Sequence, residues 1–178
     1  ERGKKHLAQF QYNKLKMQIN PHFLFNSLNT LSMLVREGDT NNALGYIDRL
    51  SYTFRYIIGT EGRTMVSLDD ELKFLDAYRY LLEVRYADKL FFDIETDAAY
   101  SDYTLPSLTL QPLIGNAVKH NTITRKQPLR VIIRTEGSTL VVTNRKAPKL
   151  ERIAVKFIPY LAFANRGASD MQVWMLCR

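Results

Sequence analysis

The strongest constraint on the fold is a pair of amphipathic helical patterns separated by one short turn. The apolar residues of the first recur at i, i+4, i+7 and i+11: Leu24, Leu28, Leu31 and Val35. Those of the second alternate four and three apart: Ala43, Ile47, Leu50, Phe54 and Ile57. Gly38-Asp39-Thr40 ends the first helix, and the second begins near Asn41. Neither helix buries its stripe alone, so the sequence predicts an αα-hairpin that forms a four-helix bundle with a second copy.

The first helix begins with an unusual placement of a histidine. Asn20 suits an N-cap and Pro21 the first helical position, where the missing proline N–H is not needed. His22 follows directly and shares a helix face with Asn26, four residues later. An imidazole that solvent reaches can act as a nucleophile, an acid or base, or a ligand. A single histidine is more often a packing or capping residue, so both interpretations stay open on this segment alone.

Composition excludes several classes of protein. The 178 residues carry a net charge of +7 from scattered Lys and Arg, with no zinc spacing or RNA-binding aromatic motif, which argues against nucleic-acid binding. No run approaches the ~18 apolar residues of a membrane span, and the start has no signal-peptide pattern. The only cysteine, Cys177, excludes an internal disulfide. Because the chain begins with Glu1 rather than Met, we expect it to be part of a longer protein, with a polar connecting helix at residues 3–18 that joins the His22 segment to upstream parts.

The second half of the chain mixes helices and strands. After a break at residues 59–63, Ser67 resembles an N-cap, and the helix that follows has Leu68, Leu72, Leu75, Leu82 and Tyr86 on one face. Alternation predicts a strand at residues 90–95 and a hairpin that turns at residues 136–138. Leu105-Pro106 is expected to open another helix. The sequence therefore predicts an α+β chain of two domains, with a boundary near residues 59–67.

The helix expected after Leu105-Pro106 carries a second group of polar residues. Asn116, Lys119 and His120 are spaced i, i+3 and i+4, so they project from the side opposite the apolar stripe. An amide oxygen can join the oxygen shell of Mg²⁺, and Lys or His can contact phosphate oxygens. A polar helix face taken alone is usually just solvated, so the nucleotide-site interpretation needs a second signal.

Two long motifs together supply that signal. The segment QINPHFLFNSLN at residues 18–29 closely resembles the H-box of the LytS/YehU-type sensor histidine kinases, and LQPLIGNAVKH at residues 110–120 is similar to their N-box. The stretch between the motifs, with Glu71, Tyr78 and Arg85-Tyr86, also resembles that family. The resemblance covers about residues 10–150, with both motifs in the family's order and separation.

The resemblance implies a domain organisation and a reaction. Residues 1–62 would hold the connecting helix and a dimerising hairpin for histidine phosphotransfer, with a homodimer formed through residues 20–60. Residues 63–178 would form a GHKL-type α/β sandwich that binds ATP and Mg²⁺. The chain would be the cytoplasmic core of a bacterial inner-membrane sensor kinase, attached to the membrane only through upstream segments. It would autophosphorylate and pass the phosphoryl group to an aspartate of a response regulator.

The resemblance also assigns roles to particular residues. His22 would be the phospho-acceptor and Asn116 the Mg²⁺ ligand, while Lys119 and His120 would contact phosphates. Asn144 would occupy the place of the family's nucleotide-pocket Asp or Asn. A neutral imidazole nitrogen would attack in line while cations neutralise the developing charge.

Two departures from the family pattern point to an alternative function. The family's N-box usually has Glu before its Asn-Ala, where this chain has Gly115 and therefore no side chain to act as a base. The expected glycine-rich lid over the phosphates is absent, because no glycine lies between Gly137 and Gly167, and the pattern becomes atypical after about Ile153. We therefore expect weak or absent ATP binding. The alternative is a catalytically degenerate, dimeric signalling module; a plain helical adaptor would make both motifs a coincidence.

Overall fold

The computed structural model describes residues 20–60, 63, 65–137, 139–145 and 150–156. The predicted connecting helix at residues 3–18 and the tail after residue 156 lie outside the described residues. The chain divides into two compact units, Glu1–Gly62 and Arg63–Arg178. In the described part of the chain, no helix has the length and apolar character that crossing a bilayer requires.

The first unit contains the predicted helical hairpin. Helix α1 spans Pro21–Arg36, and helix α2 spans Thr40–Gly59. Asn20 caps α1, since its Oδ1 accepts a hydrogen bond from the His22 N–H at 3.0 Å. Asp39 caps α2 in the same way through Asn42, and Gly38 takes φ +73°, a turn conformation that glycine adopts without strain. The predicted helix starts and the predicted turn are therefore confirmed.

The buried face of α1 differs from the predicted one, while that of α2 matches it in part. The buried side chains are Phe23, Ser27, Thr30 and Leu34 of α1, and Ala43, Tyr46, Leu50, Thr53 and Ile57 of α2. Thr30 and Thr53 can be buried because their hydroxyls donate to backbone carbonyls of the same helix, to Asn26 at 3.0 Å and to Arg49 at 2.8 Å. Leu28, Val35 and Ile47 of the predicted stripes stay exposed. The predicted stripe of α2 is therefore largely confirmed, since Ala43, Leu50 and Ile57 are buried, whereas the predicted stripe of α1 is wrong because none of its four residues is in the buried set.

The second unit begins with a short strand and a long helix. Strand β1 spans Met65–Ser67, and helix α3 spans Leu68–Tyr86. The Ser67 hydroxyl accepts from the Asp70 N–H at 3.1 Å, which confirms the predicted cap. A 3₁₀ turn at Ala87–Lys89 leads into strand β2, Leu90–Glu95, and a second follows at Ala98–Tyr100.

The segment around Pro106 corrects one expectation. Leu105-Pro106 does not open a helix; strand β3, Thr104–Pro106, pairs antiparallel with β1, and helix α4 spans Leu110–His120. The edge position suits a proline, which has no N–H to donate to a ladder. Leu108 then takes φ +58°, which separates the strand from the helix. Strands of three residues carry too little alternation to be found by pattern.

The remaining strands form a four-stranded sheet in the order β2-β4-β5-β6. Strands β4, Leu129–Glu136, and β5, Thr139–Arg145, form the predicted hairpin, while β2 runs parallel to β4. Strand β6, Leu150–Lys156, pairs antiparallel with β5. Residues 153–156, which begin where the sequence departs from the family pattern, are therefore part of a strand.

Helices α3 and α4 cover one face of this sheet, with α3 against β2 and α4 against β4. Strand residues on that face are almost fully buried: Leu90, Leu129, Val131, Ile133, Leu140 and Val142. Helix α4 contributes Leu110 and Ile114, and α3 contributes Phe74, Leu75 and Leu81 to the buried set. The described chain is therefore an α+β protein, as predicted at that level.

Candidate functional site

His22 lies in the first turn of α1 and is exposed to solvent. Its backbone is fixed by the Asn20 cap, and its ring lies beside the Asn26 amide. The Asn26 Nδ2 atom is 3.1 Å from His22 Nδ1 and 3.2 Å from Nε2. The hairpin therefore presents an imidazole that a reagent in solution can reach, with an amide group as its immediate neighbour.

Helix α4 presents the second group of predicted site residues on its open side. Asn116, Lys119 and His120 are all exposed, while Ile114 and Ala117 of the same helix are buried against the unit. Within the described residues, no hydrogen bond or ion pair engages the three exposed side chains. The structure thus brings these three together as an open amide, ammonium and imidazole on one helix.

Asn144 stands in a different environment from these three residues. It lies on β5 opposite Val131, on the sheet face that the helices cover, and it is only 6% exposed. Its Nδ2 is buried and finds no hydrogen-bond partner in the part of the chain that the structure describes. A buried amide donor without a partner is costly, by about 1–3 kcal/mol, so it points to a ligand acceptor or to water at this place. The α4–β4 connection, residues 121–128, reaches the same end of β4.

Gly115 leaves room for a side chain on α4. A Cβ placed there would meet only the Tyr78 hydroxyl within 4 Å, at 3.8 Å. Burial raises the pKa of Tyr78 well above its usual value of about 10, nearby Tyr86 raises it further, and Arg85 lowers it. The Tyr78 hydroxyl is therefore protonated at neutral pH, and it cannot replace the carboxylate base that the sequence lacks at position 115.

Glu71 is a positioning residue that the sequence analysis did not identify. It is fully buried on α3, and its carboxylate accepts hydrogen bonds from the N–H groups of Leu110 at 3.0 Å and Leu108 at 3.3 Å. Thr109, the N-cap of α4, makes no side-chain cap bond, so Glu71 supplies the missing acceptor from another helix. The only signal in the sequence was its place in the motif-like stretch after Ser67, where three acidic residues in a first turn look alike.

Comparison with known proteins identifies the class to which this fold and these residues belong. A histidine kinase family model matches residues 10–90, which include His22 and the whole hairpin. The chain is 36% identical over 144 residues to the sensor histidine kinase BtsS of Escherichia coli K12, covering 80% of this chain and 25% of that protein. It is 35% identical over 127 residues to the sensor histidine kinase/phosphatase LytS of Staphylococcus aureus Mu50, covering 71% and 22%.

Alignments of that length over 178 residues must include the α4 segment Leu110–His120, wherever they begin. The similarity therefore extends from the hairpin into the second unit. The chain belongs to the LytS/YehU-type sensor histidine kinases. It spans about a quarter of the length of the curated relatives it matches.

A second family model, the C-terminal domain of glycoside hydrolase family 127, matches residues 51–176. That match begins inside α2, crosses the division between the two units and overlaps the histidine kinase match. It leaves out the His22 segment, which lies before it. The kinase assignment accounts for both units and for the 35–36% identical relatives, so it is the one we adopt.

Proposed function

We propose that this chain is the core of a two-component sensor histidine kinase in which His22 accepts the γ-phosphoryl group of ATP. The observation that carries this proposal is the exposed imidazole at the head of α1, on the hairpin that matches the histidine kinase model. A response regulator aspartate would then take the phosphoryl group from His22. The reaction needs a neutral imidazole nitrogen in line with the leaving oxygen, and an exposed ring in the first helical turn is open to such an approach.

The second unit is proposed to bind the nucleotide on the open side of α4. Asn116 offers one amide oxygen, and a single protein ligand suits Mg²⁺, which takes its remaining ligands from phosphate oxygens and water. Lys119 and His120 lie on the same open side and would contact phosphate oxygens. When bound, Mg²⁺ neutralises charge on the transferring phosphates. The buried Asn144 amide, which has no hydrogen-bond partner among the described residues, supports a binding place for the adenine base of ATP on the covered face of the sheet.

The hairpin is proposed to form a homodimer through one apolar side. Leu28 and Val35 lie roughly a third of a turn from the buried face of α1, and Leu44, Ile47 and Ile58 lie on average roughly a third of a turn from that of α2, both in the same rotational sense. Because the two helices run antiparallel, both exposed sets fall on the same side of the hairpin. We call these five residues the apolar side.

A second copy of the hairpin is the natural cover for this side. Two hairpins that join their apolar sides make a four-helix bundle, which removes both surfaces from water. His22 lies roughly a third of a turn from the buried face of α1 in the opposite sense, so it points away from the apolar side. Dimer formation would therefore leave the acceptor uncovered for ATP and for a response regulator.

The relatives suggest the context of the whole protein. Because the chain spans only part of them, we propose that it is the cytoplasmic part of a bacterial inner-membrane protein, attached through segments outside this chain. Sensing would belong to those segments.

A second candidate function is a catalytically degenerate dimeric module. Two observations favour it: Gly115 supplies no carboxylate beside Asn116, and residues 150–156 form β6 in the stretch expected to lead into a glycine-rich lid. Such a module would dimerise and present His22, and it would neither bind ATP tightly nor transfer its phosphoryl group.

Incubation with γ-labelled Mg-ATP separates the two candidates. The kinase proposal predicts an acid-labile label on the wild-type chain that is lost in His22→Gln and strongly reduced in Asn116→Ala. Asn29→Ala, another exposed asparagine outside the proposed ATP site, is the matched control and should keep the label. No label on the wild-type chain, together with no heat of Mg-ATP binding in a titration, would support the degenerate module instead.

A further inference from the structure

We propose that Asn144 sets the base specificity of the nucleotide site, and that its amide admits 6-oxopurine nucleotides such as ITP and GTP as readily as ATP. This inference rests on the proposed nucleotide site of the second unit, and it names the substrate class of that site as purine nucleotides in general. It concerns binding alone, so its test needs no phosphoryl transfer.

The Asn144 side chain lies among apolar side chains on the covered face of the sheet. Its neighbours on that face include Val142 on the same strand and Val131 on β4, which are 4% and 0% exposed, while Asn144 is 6% exposed. Within the described residues the buried Nδ2 has no hydrogen-bond partner, and no bond engages Oδ1. A ligand that enters this place must therefore supply an acceptor for Nδ2, and no described protein group competes for it.

No described residue holds the Asn144 amide in one orientation. A half-turn about its Cβ–Cγ bond exchanges the NH₂ group and the oxygen, and the two orientations fill nearly the same space. If a neighbouring group bonded to one end of the amide, this exchange would break a hydrogen bond. Since no such bond exists among the described residues, Asn144 can present either a donor or an acceptor to the same ligand atom.

The two kinds of purine differ along one edge of the ring. Adenine has a donor at position 6, its amino group, and an acceptor at N1. Hypoxanthine and guanine have the reverse pattern, with an acceptor oxygen at position 6 and a donor at N1. The amide matches both edges, because the half-turn exchanges its own donor and acceptor. A carboxylate only accepts, so it would match the adenine amino group and oppose the oxygen of a 6-oxopurine.

Isothermal titration of the whole chain with Mg-ATP and with Mg-ITP tests this proposal, because the two nucleotides differ only along that edge. We expect the wild type to bind them with dissociation constants within about threefold of each other, since the amide makes equivalent hydrogen bonds to both. Asn144→Asp should bind ATP at least about tenfold more tightly than ITP. The titrations are made at about pH 8, well above the ordinary pKa of about 3.9 for an aspartate carboxyl.

Asn29→Asp makes the same substitution on the hairpin, so its ratio of the two dissociation constants should equal that of the wild type. Because both nucleotides are titrated into the same protein, partial unfolding of a variant lowers the bound amount for both and leaves the ratio unchanged. A wild type that binds ATP at least tenfold more tightly than ITP would overturn the base specificity alone, as would equal ratios in Asn144→Asp and wild type. A wild type that binds neither nucleotide would overturn the proposed ATP site as well.

Discussion

At the scale of single residues, Glu71 has a stabilising role that its place in the sequence does not reveal. Its carboxylate is fully buried and serves as the cap of a helix to which it does not belong. We expect Glu71→Gln to lower the free energy of unfolding of the second unit by about 2–4 kcal/mol, because an NH₂ group would then face a backbone N–H. Urea unfolding followed by circular dichroism measures this loss.

Glu83→Gln is the matched control for that experiment. Glu83 lies on the same helix and is one-third exposed, and among the described residues its only partner is Arg79, in a 3.6 Å ion pair. Its removal should cost less than about 1 kcal/mol. Equal losses in the two variants would contradict the capping role of Glu71.

Tyr78 makes the free energy of unfolding of the second unit depend on pH in the alkaline range. Because burial raises its pKa above the usual value, the native state keeps a proton that the unfolded state loses above about pH 10. The free energy of unfolding should therefore fall as pH rises past 10, by up to about 1.4 kcal/mol per pH unit from this residue. Urea titrations between about pH 9 and 11.5 should show that the free energy of unfolding falls less steeply with pH in Tyr78→Phe than in the wild type. Equal slopes in the two proteins would contradict the raised pKa of Tyr78.

Gly115 tests whether the missing carboxylate limits the reaction. A Cβ there meets only the Tyr78 hydroxyl at 3.8 Å, so both Gly115→Ala and Gly115→Glu should fold and gain about 0.5–1 kcal/mol in helix stability. Only Gly115→Glu restores a carboxylate beside Asn116. It should raise the rate of ATP-dependent labelling at least tenfold, within the range of general-base effects. An equal rise in the labelling rate of Gly115→Ala would show that the added helix stability, and not the carboxylate, causes the increase.

At the scale of elements, the sequence predicted what repeats over several turns or strand residues. The two hairpin helices, the Ser67 cap and the β4–β5 hairpin were all marked by period, cap or turn residues, and the structure confirms them. The strand at Thr104–Pro106 was mistaken for a helix start, because its partner at Met65–Ser67 is too short to be seen and lies far away in sequence. Pairing between distant short segments is a tertiary fact that local patterns do not contain.

The apolar side of the hairpin gives the prediction at this scale. Leu28→Asp places a charge on that side, where Leu28 is 45% exposed in the single chain. We expect the dissociation constant of the dimer to rise at least tenfold, about 1.4 kcal/mol, as measured by sedimentation equilibrium. Asn29→Asp adds the same charge on another side of α1 and should leave association unchanged. Equal association of Leu28→Asp and wild type would remove the apolar side as the dimer interface.

At the scale of the whole molecule, the two motifs carried the prediction of the family, and the comparisons confirm it. His22, Asn116, Lys119 and His120 were found because their motifs are long and local, and the structure leaves all four exposed. The buried amide of Asn144 and the cap by Glu71 depend on which elements pack together, so they needed the structure. The roles of these residues in phosphoryl transfer remain predictions.

The proposed kinase function is tested most directly by identifying the residue that carries the phosphoryl group. Wild type and Gly115→Glu are incubated with Mg-ATP, digested at alkaline pH, and the labelled peptide is sequenced by tandem mass spectrometry. We expect one phosphorylated residue, His22, in both proteins, and no label when His22→Gln is added to either. A label on any other residue, or one that survives His22→Gln, would contradict it.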